Sequence, residues 1–247
     1  MISISRAALP GRAMPGRAML GRAMLAAAWG GAMLAAVWGG VARADVITRL
    51  PTSDMMVALT FDACENRTPA TFDRKIVDYL VAEKIPVTLF VSGRFAEHNR
   101  DDLKALAAND FVEIENHSLS HNNHMEQMDD AAVRREVADN DALLFQITGR
   151  HTHLFRFPAG NFSPRVLADV EGLGYKVVHW TFASGDPIRG LRPGELTQWV
   201  LTKTKAGSIL VFHINGRGWA TGDALPDIVA ELRRRNVRFV RLDSLIQ

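Results

Sequence analysis

From Met55 onward the chain alternates two patterns of apolar and polar positions. Short apolar runs rich in β-branched residues read as strands: MMVALTF (55–61), PVTLFVS (86–92), FVEIEN (111–116), HLFRF (153–157), KVVHWTF (176–182), SILVFHI (208–214) and VRFVRL (237–242). Between them lie stretches whose apolar residues recur at helical spacing. TPATFDRKIVDYLVAEK puts Phe72, Ile76, Tyr79 and Leu80 on one face, with Thr68 as its expected cap and Pro69 in its first turn. DDAAVRREVADNDALLFQITG opens on aspartates and stops at Gly149; SPRVLADVEGLG opens on Ser163 and Pro164 and stops at Gly174. RPGELTQWVLTKTKAG and GDALPDIVAELRRRN complete the series. Such alternation predicts an α/β fold of parallel strands with helices outside. Seven strands suit either a doubly wound sheet or a slightly short α/β barrel. The first strand runs into FDACEN rather than a G-x-G-x-x-G turn, which counts against a dinucleotide fold.

The first 44 residues follow a different pattern. GRAMPGRAMLGRAML is a five-residue repeat, followed by AMLAAAWGG and its near copy AMLAAVWGG. An arginine-bearing region, an apolar run and Ala42-Arg43-Ala44 before Asp45 have the layout of a secretory signal peptide. The expectation is therefore 1–44 as signal peptide and 45–247 as a single catalytic domain, exported to the periplasm or secreted after cleavage near Ala44. Membrane contact is expected only if the apolar run stays uncleaved as an anchor. This segment also explains the overall charge. Five of the 29 basic residues and none of the 27 acidic ones lie in it, so the remainder holds 24 bases against 27 acids, a formal charge of −3. A mildly acidic domain gives no electrostatic case for nucleic acid as a partner. The single cysteine, Cys64, excludes an intramolecular disulfide.

The candidate chemistry falls on one end of the strands. Asp62 follows strand one; His117 and His121 follow strand three in ENHSLSH. Arg156, Ala159 and Gly160 close strand four in RFPAG, Asp186 follows strand five in FASGDP, and His213 ends strand six in LVFHIN. In an α/β barrel the carboxyl ends of the strands share one rim, where active sites form. Two imidazoles beside a carboxylate make a zinc-type site with positions open for water. The other histidines carry blander readings: His151 and His153 on the opposite face, His98 on a helix surface, His124 in solvent, His179 in a wall. Trp219, just after His213, suits either stacking on a sugar ring or anchoring its loop.

Taken together, these segments resemble the polysaccharide deacetylase family, carbohydrate esterase family 4 with its NodB-homology domain. TFDAC is similar to a first motif that usually reads T-F-D-D, HSLSH to the second, RFPAG to R-x-P-x-G, WTFASGDP to a degenerate fourth and LVFH to L-x-x-H. The resemblance spans 55–242. It implies a distorted (β/α) barrel of seven or eight strands and metal-dependent removal of N-acetyl, sometimes O-acetyl, groups from a polysaccharide by a metal-activated water. By position it implies Asp62 as general base, His117 and His121 as metal ligands and Arg156 as the residue that orients Asp62. It further implies backbone near Ala159 and Gly160 at the oxyanion, His213 as general acid and Asp186 as the partner of His213. Zinc is the expected metal.

One position departs from the family pattern. Its second aspartate, the usual third metal ligand, aligns with Ala63, which has no donor. Replacement by the Cys64 thiolate, by the Glu65 carboxylate, or by water and Asp62 around two histidines are the alternatives, the last being the expectation. Cys64 stands one position late. Two other functions compete with a deacetylase: an inactive carbohydrate-binding barrel, and a hydrolase of another non-peptide C–N bond on the same fold.

Overall fold

The computed structural model describes residues 45–65 and 68–246. The expected signal peptide or anchor over 1–44 lies outside the described residues. Among those described, no helix is long and apolar enough to cross a membrane.

Among the described residues eight strands form one sheet: β1 (Met56–Ala63), β2 (Val87–Val91), β3 (Val112–Asn116), β4 (Leu154–Phe155), β5 (Lys176–Val177), β6 (Phe182–Ala183), β7 (Ser208–His213) and β8 (Arg238–Phe239). Their order is β5-β4-β3-β2-β1-β7-β6, and β8 pairs with the first two residues of β1. Every strand pair is parallel. The two edge strands, β5 and β6, are neighbours in sequence, joined only through residues 178–181. An extended link of that length spans roughly 17 Å, so the sheet has to curl to bring its edges together. The segment around Ile47 laces the seam: its N–H donates to the Val177 carbonyl and its carbonyl accepts from His179. The result is the expected distorted barrel. The anticipated single strand over 176–182 is two short strands, because the chain there crosses from one edge of the sheet to the other.

Alternation along β1 sorts its side chains between two cores. Val57, Leu59, Phe61 and Ala63 pack outward with Ile76, Leu80, Leu225 and Ile228 of the helices. Met56 and Ala58 face the interior beside Phe90, Leu154, Val178 and Ile209. Each fully buried large apolar side chain contributes roughly 1.5–3 kcal/mol. Asp62 belongs to the interior register.

Among the described residues seven helices wrap the sheet: α1 (Arg74–Ala82), α2 (Gly93–His98), α3 (Arg100–Ala107), α4 (Asp130–Thr148), α5 (Pro164–Gly172), α6 (Pro193–Lys203) and α7 (Thr221–Arg234). Helix α4 ends at Gly149 in the left-handed region, and the Ser163 hydroxyl caps α5, both as the sequence predicts. Helix α1 starts later than expected. Its cap is Asp73, whose side chain accepts from Lys75, while the Asp73 N–H donates to the Ile214 carbonyl and Ala70 donates to Glu65. These bonds keep 68–73 out of the helix and leave it as a wall of the cleft described below. Helices α2 and α3 went unpredicted because the first is short and Asn99 interrupts the pattern between them.

Along β3, Glu113 and Glu115 point to the same side of the strand and are both buried. Glu113 accepts from Leu242 and Asp243 backbone amides, Glu115 from His153 and Leu154. Burial raises Glu113 to about 7 and, with the Glu113 charge beside it, raises Glu115 well above its ordinary value.

Candidate active site

Each candidate side chain arrives on the carboxyl end of a strand or in the loop just after it. Asp62 and His213 are in-register partners on β1 and β7, so they face the same side. Arg156, one residue beyond β4, is fully buried, at 0% exposure. Its guanidinium donates to Asp62 Oδ1 at 2.7 Å, to the Val178 carbonyl at 3.2 Å and to the His179 carbonyl at 3.0 Å, and it lies 3.9 Å above the Phe90 ring. Three directed bonds and a ring hold it in one orientation. Burial alone would raise the Asp62 carboxyl. The charge of Arg156 and its hydrogen bond, joined by the charge of His213, outweigh this and bring it to about 2. Asp62 is therefore ionised.

Next to it, His117 is buried and its Nδ1 donates to the Arg156 carbonyl at 2.8 Å. A carbonyl can only accept, so the proton is on Nδ1 and the lone pair on Nε2, which stands 3.7 Å from Asp62 Oδ2. His121 follows, its ring centroid 4.8 Å from that of His117. Burial lowers both imidazoles, and the neighbouring His117 helps bring His121 to about 3, so both are neutral. Ser118, His121 and Ala159 have φ of 63°, 54° and 54°, so three of the five non-glycine residues with positive φ among those described gather here. Such strain is held in place by surrounding contacts and concentrates at functional sites.

Cys64 completes this group. Its Sγ and one ring nitrogen from each of His117 and His121 lie within 4.8 Å of one another, and all three residues are buried. Period-two alternation explains why: Asp62 and Cys64 share a face, and Ala63 between them turns into the outer core. Asn215 donates to the Cys64 carbonyl and to Sγ at 3.4 Å, and the nearby Arg217 charge favours the thiolate. Burial and then the Asp62 charge push this thiol up to about 12. Two imidazole nitrogens and a sulfur, with the proton of one imidazole parked on a backbone carbonyl, form a donor set that fits a divalent metal. Glu65 lies apart from the group. Its carboxylate meets His98 Nδ1 at 2.8 Å and accepts the Ala70 N–H, which fixes the wall segment and ties down the helix-surface His98.

Across the site stands the His213–Asp186 couple. Asp186 Oδ1 meets His213 Nδ1 at 3.0 Å and Oδ2 accepts the His213 N–H at 2.6 Å; the Ser184 and Thr221 hydroxyls each donate to it at 3.0 Å. Burial would lower His213, but the hydrogen bond and charge of Asp186, then the charge of Asp62, raise it above its ordinary value. A cavity of about 450 Å³ lies between the two groups, lined among others by Asp62, His117, His121, Ala159, Trp180 and His213. Gly160 has φ +73°, and a Cβ there would sit 2.8 Å from the Trp180 ring; its N–H donates to the Phe157 carbonyl. The small cavity shares His121, Asn123 and Arg217 with a larger, open cleft of about 980 Å³. Trp219 lines that cleft at 50% exposure, with the Arg189 guanidinium 4.6 Å from its ring centroid.

Ser184, Asn215, Arg217, Gly218 and Thr221 were not singled out from the sequence. A Cβ at Gly218 would come within 2.6 Å of the His213 carbonyl and 2.8 Å of Asp186 Oδ2. Their proximity to the HIN and GDP segments was the available signal, and spacing alone does not say which neighbours turn inward.

A barrel whose strand ends bring together an ionised Asp–Arg pair, an Asp–His couple and a three-donor metal-type cluster has the machinery of a hydrolase. Comparison with known proteins supplies the family. Residues 49–178 match the model of the polysaccharide deacetylase family, so the chain belongs to that family of hydrolases acting on carbon–nitrogen bonds. It is 28% identical over 199 residues to a peptidoglycan-N-acetylglucosamine deacetylase of Bacillus cereus, covering 80% of this chain and 70% of that one. It is similar in fold to a solved peptidoglycan N-acetylglucosamine deacetylase, with TM-score 0.74 and 26% identity over 81% of this chain and 92% of that one. A family 4 pseudoenzyme from Bacillus anthracis shares the fold at TM-score 0.72 and 22% identity, covering 82% of this chain and 69% of that one.

Proposed function

We propose that this chain is a metal-dependent deacetylase that hydrolyses N-acetyl (or O-acetyl) groups on a polysaccharide, with His117, His121 and Cys64 holding the metal, zinc suiting this donor set best. The observation that carries the reading is the convergence of those three donors within 4.8 Å, next to an ionised Asp62. In the first motif, Ala63 stands in place of an acidic ligand, and Cys64 rather than water alone takes over the third position. A divalent ion in such a site supplies a Lewis acid and makes water a nucleophile near neutral pH.

The chain's own residues would then do the following. Asp62, held by Arg156, accepts the proton of the attacking water. His213, kept protonated by Asp186, donates a proton to the leaving amine. The backbone N–H of Ala159, held by the turn that packs Gly160 against Trp180, would face the oxyanion, the Gly160 N–H being taken by the Phe157 carbonyl. The retained Asp62–Arg156 and Asp186–His213 pairs support an active enzyme over a carbohydrate-binding barrel, which has no use for a positioned acid and base. Export through residues 1–44 belongs to the same proposal. Metal analysis of the purified protein alongside acetate release from N-acetylated glycans tests it. Bound metal with acetate release, both lost in His117→Ala, is expected; no metal and no acetate from any glycan would overturn the enzyme reading.

A further inference from the structure

The larger cleft carries a charge that the chemistry above does not use. Three arginines, Arg94, Arg189 and Arg217, line it, and all three are exposed. Among the described residues the only carboxylate lining it is Glu65, which is buried and engaged by His98. None of the three guanidiniums forms an ion pair with a described carboxylate: Arg189 lies over Trp219 and Arg217 lies near Cys64. Elsewhere Arg74, Arg134, Arg165, Arg192, Arg233 and Arg241 each pair with an acid, while Arg100, Arg135 and Arg150 also lack a described acidic partner; what sets the three cleft arginines apart is that they share one concave surface. The two carboxylates of the adjoining cavity do not offset the cleft, since Asp62 is neutralised by Arg156 and Asp186 faces His213. A domain of net charge −3 therefore presents a positive cleft at the mouth of its candidate active site. Bulk composition does not produce that, and steering of an oppositely charged ligand does require it. Guanidinium forks match carboxylates in geometry, and one braced on an aromatic ring loses less freedom on binding.

We propose that the cleft selects an anionic glycan, one whose sugars carry carboxylates within reach of Arg94 and Arg189 when an acetamido group occupies the small cavity. This rests on the deacetylase reading and specifies its substrate class. The carboxylate can be part of the sugar or of a short peptide attached to it; the recognition chemistry is the same.

The test uses N-acetylated oligosaccharides of equal length: one neutral, one with carboxylates on its sugars, one with carboxylates on attached peptides, and one phosphorylated. Initial rates and calorimetric affinities are measured at low and high salt. Expected is a lower KM and tighter binding for one or both carboxylated chains, with that advantage fading at high salt. Arg94→Gln and Arg189→Gln should each shrink the carboxylated-to-neutral preference by about threefold to tenfold. Arg217 is left intact because its charge acts on Cys64. Equal affinity for neutral and carboxylated chains, or a preference unmoved by both substitutions, overturns the proposal even where acetate is released. Tighter binding of the phosphorylated chain overturns the carboxylate assignment. Absence of acetate from every chain counts against the deacetylase reading, and the calorimetric preference still decides the charge of the ligand.

Discussion

Metal binding at Cys64 should release a countable proton. In the free protein this thiol is pushed up to about 12, so at neutral pH it is protonated, whereas His121 at about 3 and the lowered His117 are already neutral. Of the three proposed ligands, only the thiol must give up a proton before it can coordinate. Five pH units between thiol and solution correspond to about 7 kcal/mol, which the metal–thiolate bond has to outweigh. The apparent affinity for zinc should therefore rise tenfold per pH unit between about pH 6 and 9, one proton being lost per ion bound. Competition against a chromophoric chelator across that range measures the slope. Cys64→Ala should lower affinity by about 100-fold or more and flatten the slope to zero, since two neutral imidazoles remain. Cys64→Asp should recover much of the affinity with a shallower slope, because a carboxyl gives up its proton more readily than a thiol at the same buried position. A wild-type slope of zero, or an alanine variant that keeps both slope and affinity while melting normally, refutes thiolate ligation.

Arg156→Met removes the partner of a buried carboxylate and three hydrogen bonds, and should cost about 3–5 kcal/mol in urea unfolding. Adding Asp62→Asn should recover part of that loss, whereas simple additivity would show that the two groups are not coupled. For Glu113 the folded-state value of about 7 lies above its unfolded value, so the folded chain holds a proton that the unfolded chain releases. Its stabilising contribution is full below about pH 4.5 and is lost as pH rises towards 7, on the order of 3 kcal/mol, and Glu113→Gln should flatten that limb in denaturation measured across pH. Asp186→Asn removes the charge that raises His213, so kcat should fall and the alkaline limb of the pH–rate profile should move to lower pH. An unmoved limb would mean that His213 is not the acid being titrated.

Much of this site was legible because strand ends are legible. Apolar runs that stop at Asp62, Asn116 and His213 mark the rim, and parallel topology then forces those ends together. The helix caps at Ser163 and Gly149 were equally plain, since each is a local property of one or two residues. What the sequence hid depends on contacts between distant segments. Thr68 looks like a cap until Glu65, Ile214 and Asn99 hold 70–73 extended. A single strand over 176–182 is the natural reading until the barrel seam requires a crossing there. The proposed third metal donor was hidden for a related reason: counting positions makes Cys64 one residue late, whereas alternation places it on the Asp62 side.

That alternation makes a strong prediction about the position that looks defective. Ala63 has 0% exposure and belongs to the outer apolar core with Phe61, Phe95 and Leu225. Its carbonyl accepts from Ser92, which anchors the strand end against α2. A carboxylate introduced there with the backbone unchanged would point into packed hydrocarbon and away from His117 and His121. Burying an unpaired charge costs several kcal/mol, so Ala63→Asp should lose about 3–5 kcal/mol of stability, or take up a proton to avoid part of that cost. It should add nothing to zinc affinity while Cys64 is present. Urea denaturation and the same chelator competition read both effects. Unchanged stability with tighter zinc binding would show that the strand end rotates and that residue 63 can become the third ligand. On the geometry observed, the proposed metal site uses the side of the strand that carries Asp62 and Cys64, so an acid at 63 alone should not contribute a ligand.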